Sequence, residues 1–298
     1  MGAWLPTAPC TVRQCVAGSV PEAGFLLRHV RLAAGVLLLA AGILLSPLVR
    51  LCSPARCLRV TALWSRAVAV SFGLRVRVSD RPGAASGPPA LVVANHISWL
   101  DVALVAAVRP GRMVAKSDIA SWPVIGRIAA LGGTLFLERE RLRALPGAVA
   151  EMTRTLRSGT SVVVFPEGST WCGRRQGRFR PAAFQAAIDA AVPVQPVLVR
   201  YRLADGGPTA VASYVGEDTL FASLRRVVAA RGLTAEVRVL PPIPPGTYPD
   251  RRALARAARA AVMSAHGEPE GPESRHAGLL PVTRGTMPAG AGSCGTVP

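Results

Sequence analysis

Lysine is nearly missing from this chain: of its 35 basic residues only Lys116 is a lysine, and the rest are arginines. Acidic residues are scarce too, 17 against 35, which leaves a formal charge of +18. Two readings of that imbalance stand. Near-exclusive use of arginine, together with abundant Ala, Gly and Pro, fits a compositional bias acting on the whole chain. Alternatively, the charge serves an anionic partner, either nucleic acid or an anionic membrane surface. Aromatic residues make up only 5%, which argues against nucleic acid, whose recognition surfaces interleave basic residues with exposed aromatics. The six cysteines form no dense framework, so reduced thiols in a cytosol-facing protein are the default. Cys10/Cys15 and Cys52/Cys57 share C-x4-C spacing, without the tighter pairing and nearby histidines of zinc sites, and Cys172 and Cys294 stand alone; no metal site is expected. No internal repeat and no G-x-S-x-G nucleophile elbow occur.

What is present is apolar. Half of the 298 residues are hydrophobic, enough for the core of one large α/β domain or two small ones. The run LAAGVLLLAAGILLSPLV, 32 to 49, carries no charge and is bracketed by Arg28 and Arg31 before and Arg50 after. As a helix it would be about 27 Å long, just short of a hydrocarbon core of about 30 Å. No polar face interrupts it, which argues against a buried core helix. About 30 residues precede it and no small-residue cleavage site follows, which argues against a cleaved signal. The next segment, CLRVTALWSRAVAVSFGL at 57 to 74, keeps Arg59 and Arg66 on one helical face, with Leu63, Trp64, Val70 and Phe72 mostly elsewhere. That pattern suits a helix lying in a membrane interface. Arg50, Arg56, Arg59 and Arg66 slightly outweigh Arg13, Arg28 and Arg31, which puts the C-terminal part on the cytoplasmic side of a cell membrane.

Beyond SDRPGAASGPP at 79 to 89, a Pro/Gly-rich break, short apolar runs alternate with helical patterns. ALVVAN (90 to 95), RMVAK (112 to 116), GTLFLE (133 to 138), SVVVF (161 to 165), VQPVLVRY (194 to 201) and AEVRVL (235 to 240) read as strands. Between them, 141 to 158 reads as a helix with Pro146 in its first turn and Gly159 at its stop. RRALARAARAAVMSAH at 251 to 266 is a strong final helix. Strands buried on both faces and separated by helices predict an α/β fold with a mostly parallel central sheet flanked by helices. The expected organisation is a flexible N-terminus over 1 to 27, a membrane anchor and interfacial helix over 28 to 74, the α/β domain over 90 to 266 and a disordered tail over 267 to 298.

One stretch, VVANHISWLDVAL at 92 to 104, joins a strand to a helix. Ser98 and Asp101 fit a capping box, which accounts for the aspartate and leaves His96 unexplained. Five residues apart in a regular helix, His96 and Asp101 would point about 140° from each other. With the helix starting at Ser98, His96 falls in the preceding loop and can fold back onto Asp101, whose carboxylate would fix the imidazole tautomer and stabilise its protonated form. Arg139 ends GGTLFLERE, and the turn Pro166-Glu167-Gly168 ends VVVFPEG. In a parallel sheet ligands bind at the carboxyl ends of strands, so His96, Arg139 and Glu167 would converge on one rim, a base, a cation and a polar turn together.

Four ordered segments now stand out: Asn95-His96 with Asp101, Gly133 to Arg139, Phe165-Pro166-Glu167-Gly168-Ser169-Thr170, and Val192-Pro193-Val194-Gln195-Pro196-Val197. With these the chain resembles the glycerophospholipid acyltransferase family, whose best-known members are the 1-acyl-sn-glycerol-3-phosphate acyltransferases; the likeness covers about residues 60 to 265. Together, NHISWLD, KSDIASWPVIG and FPEGST are also similar to the branch that includes lyso-ornithine-lipid acyltransferases. One departure is Thr170 followed by Trp171, where the third motif commonly continues with an arginine; Arg174 and Arg175 lie close by in sequence.

The resemblance implies a membrane-tethered O-acyltransferase of the cell membrane with its α/β domain in the cytoplasm, using a lysolipid acceptor and an acyl-CoA or acyl-carrier-protein thioester, with no cofactor and no nucleic-acid partner. His96 and Asp101 would be catalytic. Arg139, Glu167, Gly168 and Lys116, the last in a lysine-x-acidic segment, would serve the acceptor, and Pro193 and Pro196 the acyl donor or pocket; the same two prolines also fit edge-strand punctuation. Lysophosphatidic acid is the expected acceptor, with lyso-ornithine lipid or another lysolipid as the alternative. A noncatalytic basic lipid-binding protein is the alternative of another class, and the intact His96/Asp101 pair argues against it.

Overall fold

Seven strands join in one sheet: β1 (Arg75–Ser79), β2 (Leu91–Ala94), β3 (Arg112–Lys116), β4 (Leu135–Leu137), β5 (Val162–Val164), β6 (Val194–Arg202) and β7 (Thr234–Val239), in the order β1-β7-β6-β2-β5-β3-β4. The computed structural model describes residues 7–16, 18, 20–79, 87–138 and 141–267. All neighbouring strands pair in parallel except β6 with β7. The mostly parallel sheet expected from the sequence is therefore observed, and β2 to β7 coincide with the six apolar runs to within two residues at either end.

Alternation within β2 shows why the run is continuous. Val92 and Ala94 enter one core with Val68, Leu104, Val227 and Tyr201. Leu91 and Val93 enter the opposite core with Leu156, Phe184 and Val262. The first face is covered by α2 (Pro54–Ser71), α3 (Asp101–Val108) and α7 (Leu220–Ala229), the second by α5 (Leu145–Arg157), α6 (Ala182–Ala190) and α8 (Arg251–Gly267). At about 1.5–3 kcal/mol per buried aliphatic side chain, β2 is held from both sides, and a residue placed directly after it inherits that rigidity. The sequence places His96 there.

Two sequence boundaries are corrected. The α/β domain does not begin at 90: β1 is an edge strand of the same sheet, in register with β7 from Arg75↔Thr234 to Ser79↔Arg238. The helix expected to reach residue 74 stops at Ser71, because Gly73 adopts φ +94 and turns the chain into β1. The N-terminus also differs from the flexible segment expected over 1 to 27. Cys10 is buried, a π-helical turn spans Val12–Val16, and α1 (Phe25–Arg50) begins at Phe25. The expected disordered tail lies outside the described residues from 268 onward, as does most of the Pro/Gly-rich break.

Among the described residues, α1 alone is long and apolar enough to cross a membrane. Leu26, Leu37, Leu44 and Leu48 along it are exposed, a stripe too apolar for a water-facing surface. α2 runs back along α1. A Cβ at Gly35 would lie 2.2 Å from the Phe72 ring, and one at Gly42 would lie 2.4 Å from the Trp64 ring. Both glycines are thus seats for aromatic rings, and the Trp64 indole N–H also donates to the Leu38 carbonyl at 2.9 Å. Arg31 adds a tie to the domain, its Nη1 donating to the carbonyls of Val228 and Ala230, both at 2.8 Å.

Candidate active site

Because β2, β5, β3 and β4 are parallel, their carboxyl ends share one rim, and the loop 95–100 leaves β2 at its centre. Asn95 fastens this loop. Its side-chain amide donates to the Val199 carbonyl and its Oδ1 accepts from the Val199 N–H, each at 2.8 Å, as another strand residue would. The Ile97 carbonyl accepts from Tyr214 N–H at 2.9 Å and the His96 carbonyl from Trp171 N–H at 2.8 Å. A loop held from three sides loses little entropy when substrate arrives.

Asp101, the first residue of α3, is fully buried. Its Oδ2 accepts from the backbone N–H groups of Ile97 (2.6 Å) and Ser98 (2.8 Å) and from His96 Nδ1 (3.0 Å). Its Oδ1 accepts from the Tyr201 hydroxyl at 2.6 Å. The expected capping box is half present: the carboxylate reaches back to the Ser98 N–H, whereas the Ser98 hydroxyl accepts from Leu100 N–H at 3.3 Å instead. A carboxylate can only accept, so Nδ1 is the donor in this contact, and Nε2 is the ring nitrogen that points away from Asp101. The His96 side chain, 20% exposed, stacks on Phe165 with ring centroids 4.1 Å apart.

Tyr201 was missed in the sequence. A signal existed: Val197, Val199 and Tyr201 alternate on β6 and all face the core beneath α3, so a lone hydroxyl was due to meet a polar group there. Burial first, then the Asp101 charge, pushes the phenol well above its usual value, which keeps it a donor. Tyr201→Phe is expected to leave Oδ1 buried without that donor and to cost about 1–3 kcal/mol. Chemical denaturation of the detergent-solubilised protein measures this, and an unchanged midpoint would show that Tyr201 does not hold Asp101.

Glu167 and Gly168 follow β5 on the same rim. Gly168 takes φ +75 and its N–H donates to the Phe165 carbonyl at 3.1 Å, a tight turn that a side chain would strain. Glu167 is only 3% exposed and neither carboxyl oxygen has a hydrogen-bond partner. Burial, with the Asp101 charge adding to it, pushes its carboxyl from 4.5 to about 8. The fold thus favours the acid form, so the stability it contributes is full below pH 4.5 and is lost as pH rises through about 8. Thermal melting should therefore fall between these values, and Glu167→Gln should flatten the fall; an unaltered profile in that variant would assign the dependence elsewhere.

The other expected site residues separate. Lys116 ends β3 on the rim, two strands from β2 and so about 10 Å away, and it forms an ion pair with Asp118. Arg139 lies outside the described residues. Pro193 and Pro196 lie where β6 begins: Pro193 directly precedes the strand, and Pro196, its third residue, pairs with Val93, one residue before β2 ends. In that position Pro196 also has a structural part. Leu240 N–H donates to the Pro196 carbonyl at 3.0 Å, and proline cannot return the bond; the buried Gln195 side-chain amide donates to the Leu240 carbonyl in its place. Away from the dyad, the sulfurs of Cys10, Cys15 and Cys172 gather within 4.8 Å of one another.

A family model described as Acyltransferase matches residues 75–200, from β1 through the dyad to β6. A lyso-ornithine lipid O-acyltransferase from Pseudomonas aeruginosa is 36% identical over 209 residues, covering 70% of this chain and 78% of that protein. The chain belongs to the acyltransferase family. A 1-acyl-sn-glycerol-3-phosphate acyltransferase from Neisseria gonorrhoeae is 38% identical over 189 residues, 62% of this acyltransferase and 72% of that one. The fold matches the crystal structure of the 1-acyl-sn-glycerophosphate acyltransferase PlsC from Thermotoga maritima, with a TM-score of 0.63 at 17% identity over 81% of this chain and 93% of that chain. The family makes the protein an O-acyltransferase, and the His96–Asp101 pair lies within the matched residues of this acyltransferase.

Proposed function

We propose that this acyltransferase moves a fatty acyl group from an acyl-CoA or acyl-carrier-protein thioester to the free hydroxyl of a lysolipid, foremost 1-acyl-sn-glycerol 3-phosphate, giving phosphatidic acid. The observation that carries the reading is the imidazole held through Nδ1 by a buried carboxylate with three further donors. His96 Nε2 takes the proton of the acceptor hydroxyl as its oxygen attacks the thioester carbonyl. Collapse of the tetrahedral adduct expels the thiolate, which takes that proton back from the imidazolium, and the products are an ester and a free thiol. Asp101 stabilises the imidazolium between these steps.

A phosphomonoester head group carries up to two negative charges and needs well-placed cations. Arg139 is the first candidate by motif. Lys116 is engaged by Asp118, whereas Arg174, Arg175, Arg178 and Arg180 are exposed on the loop that follows the Glu167 turn. That loop returns to the turn where Arg180 N–H donates to the Pro166 carbonyl at 2.8 Å. Glu167, as an acid, would donate to an acceptor oxygen and shape the acceptor pocket with Gly168. A lyso-ornithine lipid is the second reading, favoured by the Pseudomonas relative; its zwitterionic head would depend less on these arginines.

In this reading α1 anchors the enzyme in the cell membrane with the sheet domain in the cytoplasm, against an anionic lipid surface that suits the net charge of +18. Carbonate extraction tests the anchor, and release of the full chain into the soluble fraction would remove it. Acylation of both acceptors, compared side by side in membranes carrying wild type, Arg139→Ala, Arg174→Ala or Arg175→Ala, tests the substrate. Loss of lysophosphatidic acid turnover in the Arg139 variant, with a smaller loss in one of the others, is expected. Activity confined to lyso-ornithine lipid would overturn the choice of acceptor and leave the His96 mechanism standing.

A further inference from the structure

We propose that Cys10, Cys15 and Cys172 form a three-thiolate site for a thiophilic divalent cation of the zinc kind, which clamps the N-terminal segment onto the loop leading away from Glu167. The spacing of Cys10 and Cys15 gave no reason to expect a metal, because the third sulfur comes from more than 150 residues away along the chain. In the fold all three sulfurs lie within 4.8 Å of one another, with Cys10 and Cys172 each only 2% exposed. Around a tetrahedral zinc with bonds of about 2.3 Å, thiolate sulfurs stand about 3.8 Å apart, so movements of about an ångström would complete three bonds and leave a fourth position for solvent. A disulfide would use two of the three sulfurs and strand the other.

The surroundings suit a metal thiolate. After Cys172 the chain turns at Gly173, φ +81, and the Ser213 hydroxyl donates to the Cys172 carbonyl at 3.3 Å. That bond holds the residue that carries the third sulfur in place, as second contacts do for a metal ligand. The segment is seated against Gly216, where a Cβ would stand 3.1 Å from the Cys10 carbonyl oxygen. Its apolar cluster is small, with Val215 as the only other buried member and Val12, Val16 and Trp171 partly buried. A core of that size holds a chain end weakly, and a metal would supply the missing hold. The clamp matters to the site because Trp171, beside Cys172, donates its N–H to the His96 carbonyl.

The test is metal analysis of the full-length protein, purified in detergent from cells supplied with zinc, and the absorption of a cobalt-substituted sample. One zinc per chain and sulfur-to-cobalt charge-transfer bands are expected, both lost in Cys172→Ser and in the milder Cys15→Ser, and both kept in Cys52→Ser, whose C-x4-C pair with Cys57 gathers no third sulfur among the described residues. Limited trypsin digestion adds a readout apart from metal content: chelation should expose cleavage after Arg13, and zinc should restore protection. Zinc content that is absent from wild type, or unchanged in both cysteine variants, overturns the site. So does a disulfide between any two of the three cysteines in protein isolated without oxidant.

Discussion

His96→Ala is expected to lower acyl transfer by about a hundredfold to ten-thousandfold, the span typical of losing one positioned general base, while the protein stays folded. The fold has little invested in the ring. It is partly exposed, it stacks on one face of Phe165, and its hydrogen bond to Asp101 is one of four that the carboxylate accepts. The contact that stitches this loop to Trp171 uses the His96 backbone carbonyl, which alanine keeps. The measurement is thiol release from acyl-CoA in the presence of lysolipid, beside a melting curve. Turnover near wild type would remove His96 from the mechanism, and a collapsed melting curve would show that the residue is structural.

Asp101→Asn comes next in size, and it separates charge from geometry. An asparagine can place its oxygen where Oδ2 accepts three donors, and its amide can then face the Tyr201 oxygen, which is able to accept. The loop and the imidazole tautomer would survive such a replacement. What disappears is the negative charge that, in the proposed mechanism, stabilises the imidazolium formed as the hydroxyl proton is taken. A loss of about a hundredfold or more in turnover is expected, with a far smaller change in acceptor KM, because the carboxylate is fully buried behind His96 and has no surface to offer a substrate. An Asp101→Asn variant that melts like wild type and turns over like wild type would reduce Asp101 to a loop-holding residue.

The legible parts of the fold were those whose side chains obey a local period. β2 and β5 are buried on both faces, so their sequences are almost wholly aliphatic, and the buried β6 keeps an aliphatic run from Val197 to Val199. β1 escaped because its Arg-Val-Arg-Val alternation, with exposed arginines flanking buried Val76, sits between a helix and a Pro/Gly-rich break and belongs to an edge. In the site, His96 and Asp101 were legible because a strand-to-helix turn brings together residues five apart. Tyr201 was not, since its meeting with Asp101 spans 100 residues. The way β6 accommodates Pro196 was not legible either, since the side-chain amide that stands in for its missing N–H, that of Gln195, meets its partner Leu240 45 residues on. Distance along the chain, more than chemistry, separated what could be read from what could not.

The glycine seats in α1 have a consequence for how substrate is found. With the Phe72 and Trp64 rings set into Gly35 and Gly42, and Arg31 bound to the carbonyls of Val228 and Ala230 at the end of α7, the apolar helix is fitted to the sheet domain without a swivel. Once α1 enters a bilayer, the rim that carries His96 is carried at a constant height above it. In the proposed reading acceptor capture then becomes a planar search: lipids drift sideways past a stationary imidazole, and the encounter rate follows their surface density in the leaflet instead of their bulk concentration. Bulky residues at the two seats would tilt the mount and change that height, so such variants should discriminate among acceptors by how far each head group projects.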